Sequence, residues 1–156
     1  MTTIAFKRYL NHIEAACDSF CVNGGMVYEV QKFLVSGDRL ILAAGNLADL
    51  HQLNSWLERG ARIGDIHPTS EESEALIFYC GAVFDVSCQD QWLCPSPLLF
   101  DARGSGFGVA KGAMLAGYSP SQAIKAIRDS RQDVFTGGEI HRFWIDADGV
   151  EKLPSW

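Results

Sequence analysis

The chain has no long apolar run, no cluster of basic residues and no closely paired cysteines, and each absence closes a class of function. No window reaches the roughly 20 apolar residues that a helix needs to cross a bilayer. The opening residues, Met-Thr-Thr-Ile-Ala-Phe-Lys-Arg, hold no apolar stretch of signal-peptide length, which points to the cytoplasm. The formal net charge is −6 and no run of Lys or Arg interrupts it, so neither nucleic acid nor an anionic membrane is an expected partner. No C-x-x-C pair occurs among Cys17, Cys21, Cys80, Cys88 and Cys94. Cys17 and Cys21 with His12 come nearest to a ligand set, and zinc needs more than that. An odd number of cysteines without an export signal reads as reduced, mostly buried thiols. No metal and no cofactor are expected. Internal repeats, low-complexity segments and linkers are missing too, so the 156 residues are expected to form one domain.

What is present is a patterned, moderately apolar chain: 47% apolar and 21% charged, as in soluble globular proteins. Ile4 and Phe6, then Ile13 and Ala15, alternate with polar or small neighbours and predict two half-buried strands. Tyr9-Leu10-Asn11-His12 connects them as a hairpin. Asn23-Gly24-Gly25 is a turn. Residues 26–35 and 39–44 are two further apolar runs, separated by a tight turn at Ser36-Gly37-Asp38. A helix should open at Asn46, a good cap, with Asp49 at the third helical position near the positive end of the helix dipole. Leu47, Leu50, Leu53 and Leu57 recur at helical spacing, and Gly60 is a left-handed stop. Residues 64–73 read as a loop or broken helix, 75–86 as a strand and 98–102 as a short strand. A helix over 107–115 stops at Gly117. Ser119, Pro120 and Gln122 open another as a capping box, with Ala123, Ile124, Ala126 and Ile127 as its buried stripe. Thr136-Gly137-Gly138 turns into a last strand over 140–145, and the tail beyond Asp148-Gly149 is expected to be a final turn or a flexible end. Strands, a helix, strands, two helices and a strand suit a layered fold with helices outside.

The chemistry starts from the second residue. A threonine hydroxyl is a poor nucleophile unless a base stands beside it. A threonine at the very N-terminus brings its own base, a free α-amine with an ordinary pKa of about 7.7–8.0. Loss of Met1, which a small second residue permits, would give Thr2 that amine. Thr2-Thr3-Ile4-Ala5 opens the first strand and Cys17-Asp18-Ser19 ends the second. Lys32 is placed in a third strand within Val30-Gln31-Lys32-Phe33, and Ala43-Ala44-Gly45 ends a fourth. Gly104-Ser105-Gly106 links a strand to a helix, and Asp133 to Gly138 follow the two helices. Each piece also has a plain reading. Asp18 can cap a turn, Lys32 can be a solvated strand residue, and Gly104-Ser105-Gly106-Phe107-Gly108 can be a phosphate cradle, although it lacks the Gly-Lys-Ser/Thr ending of a P-loop.

In order and approximate spacing these segments resemble the proteasome β-subunit family of N-terminal-nucleophile hydrolases, which includes the bacterial peptidase HslV and smaller bacteriophage-associated relatives. The resemblance covers roughly residues 2–146. It implies an α+β fold, a four-layer αββα sandwich of two antiparallel sheets flanked by helices. It implies Thr2 as nucleophile, Asp18 as the buried acid that pairs with Lys32, and Lys32 as the cation that lowers the proton affinity of the threonine. On this reading Lys32 lies in salt-bridge reach of Asp18 and approaches the Thr2 hydroxyl. Gly45 matches the glycine whose N–H helps form the oxyanion hole, and Ser105, Asp133 and Thr136 match the residues around the N-terminal amine. A peptide or protein substrate, a homo-oligomeric ring and an ATPase partner are further implications. Residues 63–74 look unlike the long second helix that the family carries there, and Cys17 and Cys80 stand where small residues are more usual. Two other functions stay open: a catalytically silent binding or inhibitory protein, and an amidase for small molecules.

Overall fold

In the computed structural model, which describes residues 2–70, 72–87 and 92–156, short antiparallel strands dominate. The expected removal of Met1 and the expected core position of Cys88 concern residues outside those described. Six strands come first: β1 (Thr3–Arg8), β2 (Ile13–Asp18), β3 (Phe20–Asn23), β4 (Met26–Glu29), β5 (Phe33–Ser36) and β6 (Arg39–Ala44). Helix α1 (Leu47–Glu58) follows, then β7 (Glu74–Tyr79), β8 (Ala82–Val86), β9 (Cys94–Pro95) and β10 (Phe100–Gly104). Helices α2 (Phe107–Leu115) and α3 (Pro120–Ser130) precede β11 (Ile140–Asp146) and β12 (Gly149–Leu153).

Side-chain alternation along the strands sorts them into layers. One five-stranded sheet has the order β10-β1-β2-β11-β12 and the other the order β5-β6-β7-β8-β9. Ile4, Phe6, Ala15 and Phe143 on the first face Leu40, Leu42, Leu76 and Phe78 on the second, and this apolar layer joins the sheets. Burying each of the larger side chains stabilises the fold by about 1.5–3 kcal/mol. Alternate positions Ala5, Ala16 and Ala102 point the other way, toward Met114 of α2 and Ile124 and Ile127 of α3. Their small size brings the two helices close to the sheet. On the outer face of the second sheet, Ile41, Ala43, Ala75 and Ile77 meet Leu50 and Leu53 of α1. The layers therefore run helix, sheet, sheet, helix, which is the expected α+β sandwich. Among the described residues no helix is long and apolar enough to cross a membrane.

The helix signals act as read. The Asn46 side chain accepts the Ala48 N–H at 3.0 Å, and Gly60 turns left-handed after α1 with φ +88°. The reciprocal bonds of the capping box between Ser119 and Gln122 open α3.

Several strand expectations need correction. The apolar run 26–35 is two strands in different sheets, because β4 pairs only with β3 in a hairpin that leaves Met26, Val27 and Tyr28 exposed. Lys32 therefore lies in the connection before β5, not inside a strand. The run 75–86 folds back at Cys80-Gly81, whose φ angles of +49° and +74° make a tight turn out of a stretch that reads as one strand. The strand expected over 98–102 begins at Phe100 and extends to Gly104. The tail is the strand β12, paired with β11. Among the described cysteines Cys17 is buried, Cys21 half-buried, and Cys80 and Cys94 exposed. The expectation of mostly buried thiols thus holds only for Cys17.

Candidate active site

Antiparallel pairing gathers the chemistry at one end of the sandwich. β1 runs against both β2 and β10, so its start lies beside their ends: Thr3 pairs with Gly104 and Ile4 with Cys17. β5 runs against β6, and the Ala43 N–H donates to the Lys32 carbonyl at 3.0 Å. Thr2, Asp18, Lys32, Ser105, Asp133 and Thr136 come together there.

Asp18 is the hub. Its Oδ1 accepts the Thr3 N–H at 3.0 Å, and its Oδ2 accepts the Gly137 N–H at 2.8 Å. Lys32 Nζ stands 3.9 Å from Oδ1, and both side chains are almost wholly buried. Burial pushes the Asp18 carboxyl up to about 6, against the pull of Lys32 and of the two N–H donors. Burial likewise pushes the Lys32 ammonium down, with Asp18 opposing it. Lys32 Nζ has no hydrogen-bond partner among the described residues. The Thr2 hydroxyl donates instead to the Asp18 carbonyl oxygen at 3.5 Å. The Lys32–Asp18 pairing is thus as expected, while a Lys32–Thr2 hydrogen bond is not formed. Cys17, next to Asp18, is inert by the same physics, since burial pushes its thiol well up.

A second network flanks the start of the chain. The Ser105 and Thr136 hydroxyls both donate to Asp133 Oδ2, at 2.5 and 2.6 Å, and the Phe135 N–H donates to Oδ1 at 3.1 Å. Burial raises this carboxyl, but the three donors outweigh it and hold it below its ordinary value. The Thr136 proton is committed to Asp133, so in the 2.6 Å contact between Thr3 and Thr136 the donor is Thr3. Thr3 in turn accepts the Gly106 N–H at 3.0 Å. Thr3 is a member of the site that the sequence did not mark, because its signature is indistinguishable from that of any strand threonine.

The phosphate-cradle reading fails on its own donors. The Gly104 N–H goes to Glu74 Oε2 at 2.9 Å, the Ser105 N–H to the Thr2 carbonyl at 3.0 Å, and the Gly106 N–H to Thr3. None of the three points to an open anion site. Gly104 is required by close packing: with φ +89°, a Cβ there would sit 1.7 Å from the Thr2 carbonyl oxygen.

Gly45 stands exposed at the end of β6 with φ +111°. A Cβ on it would strike the Glu72 carbonyl oxygen at 2.4 Å, so the 72–73 backbone lies hard against it. Ala44 reaches toward the Thr2 carbonyl, its Cβ lying 3.4 Å from where a Gly104 Cβ would be. Ser73 and Glu74 span this gap. The Ser73 hydroxyl accepts the Asn46 N–H at 3.1 Å on one side, and Glu74 holds the Gly104 N–H on the other. Ser73 itself donates to Asp49 Oδ2, which also takes both the hydroxyl and the N–H of Ser70. Asp49 is thus a buried anchor for the loop as well as a residue near the helix dipole. No local pattern announces Ser73 or Glu74, because their partners are main-chain groups 27 and 30 positions away.

A cavity of about 550 Å³ lies where Arg8, His12, Asp38 and Asp146 line the opposite strand turns, and it touches none of these groups. A smaller cleft of about 220 Å³, lined by Ser19, Glu29, Gln31 and His141, adjoins Asp18 and Lys32. The converging side chains, and not the cavity size, single out the site.

No family model matches the chain, and no curated protein matches it either. Among solved structures, BPH of Thiobacillus denitrificans in complex with epoxomicin is similar, with 20% identity and a TM-score of 0.69 over 93% of this chain and 98% of that one. A second structure of BPH has 19% identity and the same TM-score and coverage. At that identity the likeness is one of fold: the chain has the N-terminal-nucleophile-hydrolase-like sandwich that BPH has.

Proposed function

We propose that the chain is a threonine-type amide hydrolase, a proteasome-like peptidase, with Thr2 as its nucleophile once Met1 is removed. The observation that carries this reading is the buried Asp18–Lys32 pair next to Thr2, since Asp18 binds the Thr3 N–H and Lys32 together. Burying two opposite charges is costly even when they pair, so the pair is better accounted for by a role in the site than by stability. In the proposed reaction the Thr2 amine takes the hydroxyl proton and Oγ1 adds to the peptide carbonyl carbon. Lys32 favours the developing alkoxide, and Asp18 keeps Lys32 charged. The Gly45 N–H stabilises the tetrahedral oxyanion. The amine then passes its proton to the leaving nitrogen as the C–N bond breaks, leaving an ester on Thr2. Water, deprotonated by the same amine, hydrolyses the ester and restores the hydroxyl. Ser105, Asp133 and Thr136, joined by Thr3, orient the amine. The reading draws support from BPH, whose structure holds epoxomicin, an epoxyketone of the kind that traps an N-terminal threonine. We further propose self-association of the chain, with an ATPase as a candidate partner.

A catalytically silent binding subunit is the second reading, favoured by one observation: Thr2 has no exposed surface. The test compares two proteins of verified intact mass, one beginning at Met1 and one at Thr2. On fluorogenic peptides and with epoxomicin, only the second should turn over and become labelled, and Thr2→Ala should abolish both. Equal turnover with Met1 retained would refute the mechanism. A protein shown to start at Thr2 that neither cleaves nor labels would favour the silent subunit.

A further inference from the structure

Helix α1 covers only part of the outer face of the second sheet. Helix α1 lies over β5 and β6, and loop segments rather than a second helix border β7 and β8. Between the end of α1 and these strands lies a cavity of about 360 Å³. Its walls are Leu57, Ile77, Phe84 and Leu93, with the exposed Ile63 at the rim. One charged side chain lines it, Arg39, the first residue of β6.

Arg39 and Arg142 each bury an Nε without a hydrogen-bond partner among the described residues, but Arg142 gives its Nη1 to the Pro154 carbonyl and faces no such cavity. Arg8 is satisfied by the carbonyls of Leu98, Gly81 and Ser96, and Arg103 by Asp85 and Asp101. The Arg39 guanidinium lies over the Tyr79 ring, 6.0 Å from its centroid, and its Nε is buried without a hydrogen-bond partner among the described residues. Its sequence neighbour Asp38 lines the separate cleft between the strand turns. A buried donor without an acceptor calls for a partner. A guanidinium pairs well with a carboxylate, because its planar N–H groups match the two oxygens.

We propose that this cavity binds a small monocarboxylate with an apolar tail, the carboxylate on Arg39 and the tail over Leu57 and Phe84. Among the described residues the lining holds no second cation and no acid, so a single negative charge is the complement. The site lies on the outer face of the sheet, away from the Thr2 cluster, and binding there does not depend on hydrolysis.

The test is calorimetric titration of the full chain with decanoate, and with decanol as the same tail without the charge. Decanoate should bind saturably at one site, and decanol at least about 10-fold more weakly. Arg39→Met keeps the length of the side chain and removes the charge, and should weaken decanoate about 10- to 100-fold. Ala61→Trp fills the cavity without touching Arg39, and should abolish binding while the melting temperature holds. Absence of saturable decanoate binding would overturn the proposal, as would equal affinity for decanol or an undiminished affinity in Arg39→Met. Tighter binding of a peptide ending in leucine would transfer the site to a protein C-terminus and overturn the small-molecule assignment.

Discussion

Asp18 sits between two opposing influences, and their balance can be read in solution. Burial raises its carboxyl to about 6, above the ordinary value of about 3.9 for an unfolded chain. The folded state then holds a proton that the unfolded state releases. Its contribution to stability is fully present below about pH 4 and is lost as the pH rises through about 6. The effect is on the order of 3 kcal/mol. Asp18→Asn should flatten that part of the profile in urea unfolding measured from pH 4 to 7, and an unchanged slope would show that the carboxyl is not raised. Lys32→Met should remove epoxomicin labelling from the Thr2-initiated protein while circular dichroism stays native, since the methionine fills the volume without supplying the charge. Six of the proposed site residues, Thr2, Asp18, Lys32, Ser105, Asp133 and Thr136, are reached in the sequence through the order and spacing in which it resembles the β-subunit family, not through any local pattern of their own. Thr3 and Glu74 are not, since what distinguishes them is a main-chain partner brought close only by the sheets.

Among the elements, the entry into β7 matters more than its two residues suggest. Ser73 and Glu74 tie the Asn46 end of β6 to the Gly104 end of β10, so one dipeptide links the two sheets behind the site. Glu74→Ala removes the acceptor for the Gly104 N–H and should lower kcat about 10-fold or more with little change in KM, whereas Glu74→Gln, which keeps a side-chain carbonyl, should recover most of it. Equal loss in both variants would reduce Glu74 to a source of charge. Helix boundaries are legible because caps are local chemistry: Asn46 and Ser119 act on residues two and three positions away. The splits at 30–32 and at Cys80-Gly81 are not, because apolarity alone does not say which sheet a strand joins. Cys80 adopts a left-handed φ of +49° without a glycine's freedom.

At the scale of the molecule, the β3–β4 hairpin leaves Met26 61%, Val27 54% and Tyr28 43% exposed, and Phe107 and Leu115 of α2 are exposed as well. Apolar surface of this kind marks association more often than accident. Light scattering at micromolar concentration should give a multiple of the chain mass, and Val27→Asp should reduce it. A monomer in the parent protein would reject self-association. The site itself spans the chain: Thr3 bonds Thr136 across 133 positions, and Asp18 takes the Gly137 N–H across 119. During synthesis the segment that carries Asp133, Thr136 and Gly137 leaves the ribosome long after Thr2. A nascent chain therefore has a threonine and a lysine but no assembled site, and the order of translation itself delays any hydrolytic action until the fold around it is nearly complete.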